Sequence, residues 1–241
     1  MSGFAAPRRG GLVASTLARV EEFLLHPVDQ DQAGPVAEPA QPPIVAVVPL
    51  APRCGGTTIA RGLAATFATR APLGAAIVCG PSGSVALALS TGGATRLAKA
   101  VGDFVDAPHR VSGRLCLVEA DARIARAAAL RNQAALVVEV PHGQDASEAA
   151  ALADVTVLVA AGATEPSLAA VVGASLARSG PEPIVVTSRK TDDDPPWPDN
   201  TAIAMPDSRL ASRIALAGRE PPGALGAALC ELADRCETAL E

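Results

Sequence analysis

The sequence predicts an α/β fold: a three-layer, doubly wound, mainly parallel sheet, preceded by an N-terminal helix and a linker. Three observations predict it. From residue 44 onward, short β-branched runs alternate with helix-patterned stretches. The runs are apolar almost throughout, not at every second position, as in strands covered on both faces. The chain has 241 residues, 49% hydrophobic and 2% aromatic, so Ala, Val, Leu and Ile must build the core of one such domain.

The elements follow in order. Residues 10–26 are expected to be helical, with Val13, Leu17, Val20 and Leu24 on one face. Residues 27–43, rich in Pro, Gln and acidic side chains, read as a disordered linker. The domain is then 44–241. Strands are predicted at 44–50, 75–80, 114–120, 135–141, 155–161, 183–189 and 201–206. An amphipathic helix is predicted at 57–70, and a helical stretch after Pro81-Ser82-Gly83-Ser84 runs to about 101. Further helices are predicted at 121–133, with Asp121 as its N-cap, at 147–154, and at 165–180, with Pro166 near its start and Gly180 at its end. Two helices close the chain, 207–218 and 221–240. Leu225, Leu229, Leu232, Cys236 and Leu240 share a face of the last.

Ligands of parallel α/β sheets sit beyond the carboxyl ends of the strands. That edge gathers Pro49 to Thr58, Gly80 to Ser84, Glu139 to Gly143 and Ser188 to Lys190. The first segment, strand–Arg53-Cys54-Gly55-Gly56-Thr57-Thr58–helix, has the layout of a phosphate-binding loop, whose N–H groups face an anion at a helix N-terminus. A Gly-Gly turn capped by Thr57 or Thr58 is the purely structural alternative.

These edge motifs, in this order, resemble the MinD/ParA-like division of P-loop ATPases. PRCGGTT (52–58) stands where that family has G-G-x-G-K-T-T. VVEVPHG (137–143) resembles its D-x-P-x-G segment. ADVTVLVAAGATEPSL (153–168) and AMPDSRLASRIALAGREP (204–221) resemble two later stretches. The likeness covers about 44–235. It implies a P-loop NTPase-like domain, ATP and Mg²⁺ as ligands, and a role in positioning chromosomes, division sites, flagella, pili or secretion complexes. It also implies protein partners, a homodimer among them. On the matching positions, Arg53, Cys54, Gly55, Gly56, Thr57 and Thr58 are the nucleotide-binding candidates. Thr57 and Glu139 are the Mg²⁺ candidates, and Glu139 is the catalytic candidate.

The departures concern charge. Gly56 stands at the Walker lysine position and Ala51 at that of the family's second lysine; Lys99 and Lys190 are the only lysines in the chain. Without that cation on the transferring phosphoryl group, nucleotide binding is expected to be weak or lost and hydrolysis slow or absent. The expected function is a degenerate family member acting as scaffold or regulator. The alternative is a slow Mg-ATPase using Arg53 or a lysine from a partner chain. A more distant alternative is a hydrolase with Ser82 of GPSGS (80–84) as nucleophile. The fifth residue there is Ser84 rather than Gly, and the required order of Ser, acid and His leaves only Asp121 and His142.

Bulk charge narrows the partners. A net charge of −5 and few aromatic rings argue against direct nucleic-acid binding. The 10–26 helix carries few cations, so packing or protein contact is favoured over membrane contact. Five cysteines with no C-x-x-C pair suit reduced thiols in the cytoplasm. Cys54, beside Arg53 and a helix start, has the setting of a reactive thiol; the alternative is a small side chain filling a tight loop. His26, His109 and His142 are too scattered to suggest a metal site.

Overall fold

The computed structural model describes residues 41–89, 92–189, 194–198 and 202–240. The predicted 10–26 helix, the 27–43 linker up to residue 40, and Lys190 lie outside the described residues.

Eight strands form one sheet. In chain order they are β1 (Ile44–Pro49), β2 (Ala76–Cys79), β3 (His109–Ser112), β4 (Leu115–Val118), β5 (Leu136–Glu139), β6 (Val155–Ala161), β7 (Ile184–Ser188) and β8 (Ala202–Met205). Their spatial order is β3-β4-β2-β5-β1-β6-β7-β8. Every neighbouring pair is parallel except β3 with β4. The helices are α1 (Gly56–Arg70), α2 (Thr95–Gly102), α3 (Ala122–Asn132), α4 (Ser147–Leu152), α5 (Pro166–Leu176), α6 (Arg209–Leu216) and α7 (Gly223–Thr238).

Two cores flank the sheet. Val45, Val47 and Val157 pack with residues of α1, α6 and α7. Ile44, Ala46, Val48 and Leu158 pack with residues of α2, α3, α4 and α5. The alternation along β1 is the two-residue period of a strand. Both faces being covered, the strand reads as continuously apolar, and the three layers follow.

Three expectations need correction, and one strand is additional. Helix α1 is not amphipathic: Ile59 through Ala68 are all buried, Arg61 and Thr66 included. It runs between the sheet and α6 and α7, and a Cβ on Gly62 would stand 2.6 Å from Leu229 Cδ1. No residue of that stretch has solvent to face. The stretch after Ser82 is a 3₁₀ turn, Ser84–Leu87, separate from α2. Strand β3 was not foreseen, because His-Arg-Val-Ser is short and its first two side chains are exposed. Such polar marking suits an edge strand, where it discourages pairing with other chains. Finally, Leu240 is exposed and not part of the α7 seam.

Two predicted signals hold in detail. Asp121 accepts a hydrogen bond from the Arg123 N–H at 2.8 Å and caps α3. Pro166 occupies the first turn of α5.

Candidate functional site

Strand β1 ends at Pro49, and the chain turns back before α1. The Cys54 N–H reaches the Ala51 carbonyl at 3.4 Å. Pro52 and Arg53 form the corner, and Arg53 has φ 60. Pro followed by a positive φ is the type II turn pattern, which ordinarily takes Gly at its third position. Arg53 therefore holds a backbone shape that glycine would adopt freely. Gly55 has φ 91, a conformation that a side chain at this position would strain.

Helix α1 begins without help. Gly55 is its N-cap, and no side chain caps it. The structural alternative, a turn capped by Thr57 or Thr58, is therefore not what the loop adopts. The first intrahelical bond runs from the Ile59 N–H to the Gly55 carbonyl at 3.0 Å. The N–H groups of Gly56, Thr57 and Thr58 precede it and have no intrahelical acceptor. They form the donor set that an anion takes at a helix start.

Thr57 turns instead toward the sheet, where its hydroxyl donates to Glu139 Oε1 at the end of β5. Across the loop, the Ser188 hydroxyl at the end of β7 donates to the Cys54 carbonyl. The two contacts brace the loop from both sides, one on its helix and one on its turn. The sequence placed Ser188 on this edge but gave no sign of its bond to the loop.

The loop's other candidates divide by exposure. Arg53 is exposed, and among the described residues its guanidinium makes no ion pair. Cys54 is 2% exposed and lies in the core with Val45 and Ile59. That burial fits the small side chain of a tight loop and removes the access a reactive thiol needs. Gly56 has room: a Cβ there would meet Pro49 Cβ at 3.4 Å, an ordinary contact. Ala51 packs against the core.

Arg61, one turn beyond Thr57, went unnoticed in the sequence. It is 1% exposed and has no carboxylate within ion-pair distance among the described residues. Its guanidinium donates to the carbonyls of Leu87 at 2.9 Å, Leu216 at 3.1 Å and Ser84 at 3.0 Å. Burial lowers its pKa, and the Glu139 charge opposes that shift. Only its place in a helix closed in on all sides could have flagged it, and that closure is tertiary.

Beside the loop, a cavity of about 670 Å³ opens at the ends of β2, β4 and β5. Ser82, Glu119, Asp121 and Glu139 are among its walls, but no residue from 50 to 58 is. Ser82 and Asp121 thus share a cavity, yet His142 does not line it. Among the described residues no histidine bonds Ser82, so a Ser-acid-His relay is not assembled. His142 is exposed in the turn after β5.

The Mg²⁺ candidates fit the ion in one way. Among the described residues no group of three or more His, Cys, Asp or Glu could hold a metal. A threonine hydroxyl and a carboxylate oxygen in contact are hard oxygen donors, the kind Mg²⁺ takes when phosphate and water complete its shell.

No family model and no curated protein matches the sequence. Solved structures do match. One is a ParA family ATPase from Chlorobium tepidum TLS, with a TM-score of 0.55, over 80% of this chain and 97% of that one. The fold is ParA-like. Identity over that alignment is 12%, so the likeness is one of fold alone. A ParA-like fold accounts for the strand–loop–helix unit at the centre of the sheet. Among the described residues no helix is long and apolar enough to cross a membrane.

Proposed function

We propose that this chain is a catalytically degenerate ParA-like P-loop protein that acts as a scaffold or regulator in cellular positioning: chromosome partitioning, the division site, or flagellum, pilus or secretion assembly. The observation that carries the reading is the Thr57–Glu139 contact at a helix start whose lysine position is Gly56. The loop keeps the backbone donors and the hydroxyl–carboxylate pair of a nucleotide site. It lacks the cation that holds phosphate charge in the transition state.

On this reading the residues would take the following roles. The N–H groups of Gly56, Thr57 and Thr58 would hold phosphate oxygens. Thr57 and Glu139 would hold Mg²⁺, Glu139 directly or through water. Bound there, Mg²⁺ would neutralise phosphate charge. Glu139 would orient a water but has no lysine opposite it. The acidic wall of the neighbouring cavity further disfavours a triphosphate by like charge. Losing one charge-stabilising donor lowers turnover by roughly 10²–10³-fold. The reading is therefore weak Mg-ATP binding and little hydrolysis, with the work done by surfaces that meet protein partners.

A second reading has its own support. Arg53 is exposed at the loop's corner, without an ion pair among the described residues. It, or a lysine from a partner chain, could supply the missing charge and give a slow ATPase.

Calorimetric titration of the full chain with Mg-ATP, run beside a phosphate-release assay, separates the two. Weak binding without turnover supports the degenerate reading. Turnover lost in Arg53→Ala supports the second. No detectable binding would leave the loop as a structural connection only.

A further inference from the structure

A second cavity, of about 660 Å³, adjoins the first. The two share Glu119, Ala120 and Asp121 at the end of β4 as common walls. They lie side by side on the α3 side of the strand-end edge and meet at this segment, as the two halves of a trough. Its two halves differ in chemistry. The half between α2 and α3 is mainly apolar, walled by Phe104, Val105, Ala107, Ile124 and Ala127. Phe104 is 41% exposed and Ile124 46%, a large apolar pair left in water. Arg131 stacks over the Phe104 ring, 5.2 Å from its centroid, and helps hold it in place.

The other half is acidic. Glu119, Asp121, Glu139, Asp145 and Glu148 line it, and no Lys, Arg or His does. Arg123, on the apolar half, offsets only Glu148, at 2.8 Å.

We propose that this trough is the docking site for a basic amphipathic segment of a partner protein. An apolar side chain of that segment seats between Phe104 and Ile124. Its Lys or Arg side chains lie over Asp121 and Asp145 and compete with Arg123 for Glu148. Charge complementarity selects this occupant. Nucleic acid and anionic lipid share the sign of the trough and are repelled. A compact metal ion finds no group of three ligands among the described residues, because the carboxylates are spread along a wall. A simple polyamine meets the acidic half but leaves the apolar half uncovered. A helix with apolar and cationic faces satisfies both halves at once. The inference goes beyond the nucleotide reading and stands without it, since no loop residue from 50 to 58 lines either half.

The test uses the full chain and a fluorescently labelled model helix of alternating Leu and Lys patches, followed by anisotropy. Two control peptides replace every Lys by Glu or every Leu by Ser. The proposal expects the Leu/Lys peptide to bind, both controls to bind about tenfold more weakly or not at all, and added salt to weaken the complex. Ile124→Ser and the double variant Asp145→Asn/Glu148→Gln should each weaken binding about tenfold. All three side chains are exposed, so urea unfolding should confirm intact folding. Asp234→Asn, on α7 at the opposite face of the sheet, should leave affinity unchanged. Absent binding, equal affinity for the Glu peptide, or trough variants that bind like the wild type would overturn the proposal. So would a wild-type dimer that the peptide dissociates, because the occupant would then be a second copy. Mg-ATP titrations do not enter any of these outcomes, so failure here and failure of the nucleotide reading remain distinct.

Discussion

Arg61 is the residue on which the loop's surroundings turn. A buried guanidinium with three backbone acceptors ties α1 to the 3₁₀ turn after β2 and to the end of α6. Arg61→Ala leaves those carbonyls unsatisfied around a cavity and should lower stability by about 3–5 kcal/mol in urea unfolding. Arg61→Lys keeps the charge but not the planar fork, and should recover only part of that loss; full recovery would mean that charge alone matters. The cysteines give a second residue-scale prediction. Burial raises the thiols of Cys116 and Cys236 to about 12 and that of Cys79 to about 11. In the unfolded chain they ionise near their ordinary value of about 8.5. Above it the unfolded state binds fewer protons than the folded one, so stability falls as pH rises. Below it this contribution is fully present. Each thiol should remove about 1.4 kcal/mol per pH unit between that value and its folded one, visible as a steep drop in melting temperature above about pH 9. A flat profile there would show the thiols to be exposed.

At the scale of elements, α1 sets the geometry of the site because it is enclosed. Gly62 lets it approach α7, with Leu229 Cδ1 2.6 Å from where a Cβ would stand. Gly62→Val should overpack this contact and destabilise the protein by about 1–3 kcal/mol. It should also loosen Thr57 against Glu139, since both effects act through the tilt of one helix. Hydrogen exchange across residues 56–70 would read both. The same helix shows what the sequence makes legible. The strand–loop–helix unit, the parallel order and the Asp121 cap follow from local pattern and are in place. The burial of Arg61 and the bond from Ser188 to Cys54 depend on partners 155 and 134 residues away in sequence, and no local pattern reports them. Strand β3 was missed for the reverse reason: its polar sequence, HRVS, serves the sheet edge rather than the core.

On the scale of the whole molecule, two surfaces share the carboxyl edge of the sheet. One is the loop, with free backbone donors and no lysine. The other is the trough, acidic at one end and apolar at the other. Their meeting point is Glu139, which touches Thr57 and also lines the acidic half. The sequence pointed to the edge through its motifs, and to the lost cation through the absence of any lysine before Lys99. It could not reveal the trough, whose carboxylates come from two strand ends and two helix starts that only the fold brings together. The central claim is that the loop retains an anion-binding shape from which the charge has been removed. Gly56→Lys tests it most directly, because the position has ordinary space for a Cβ. Calorimetric titration with Mg-ATP should show affinity raised at least about tenfold over the wild type. Equal affinity in the two proteins would contradict the account.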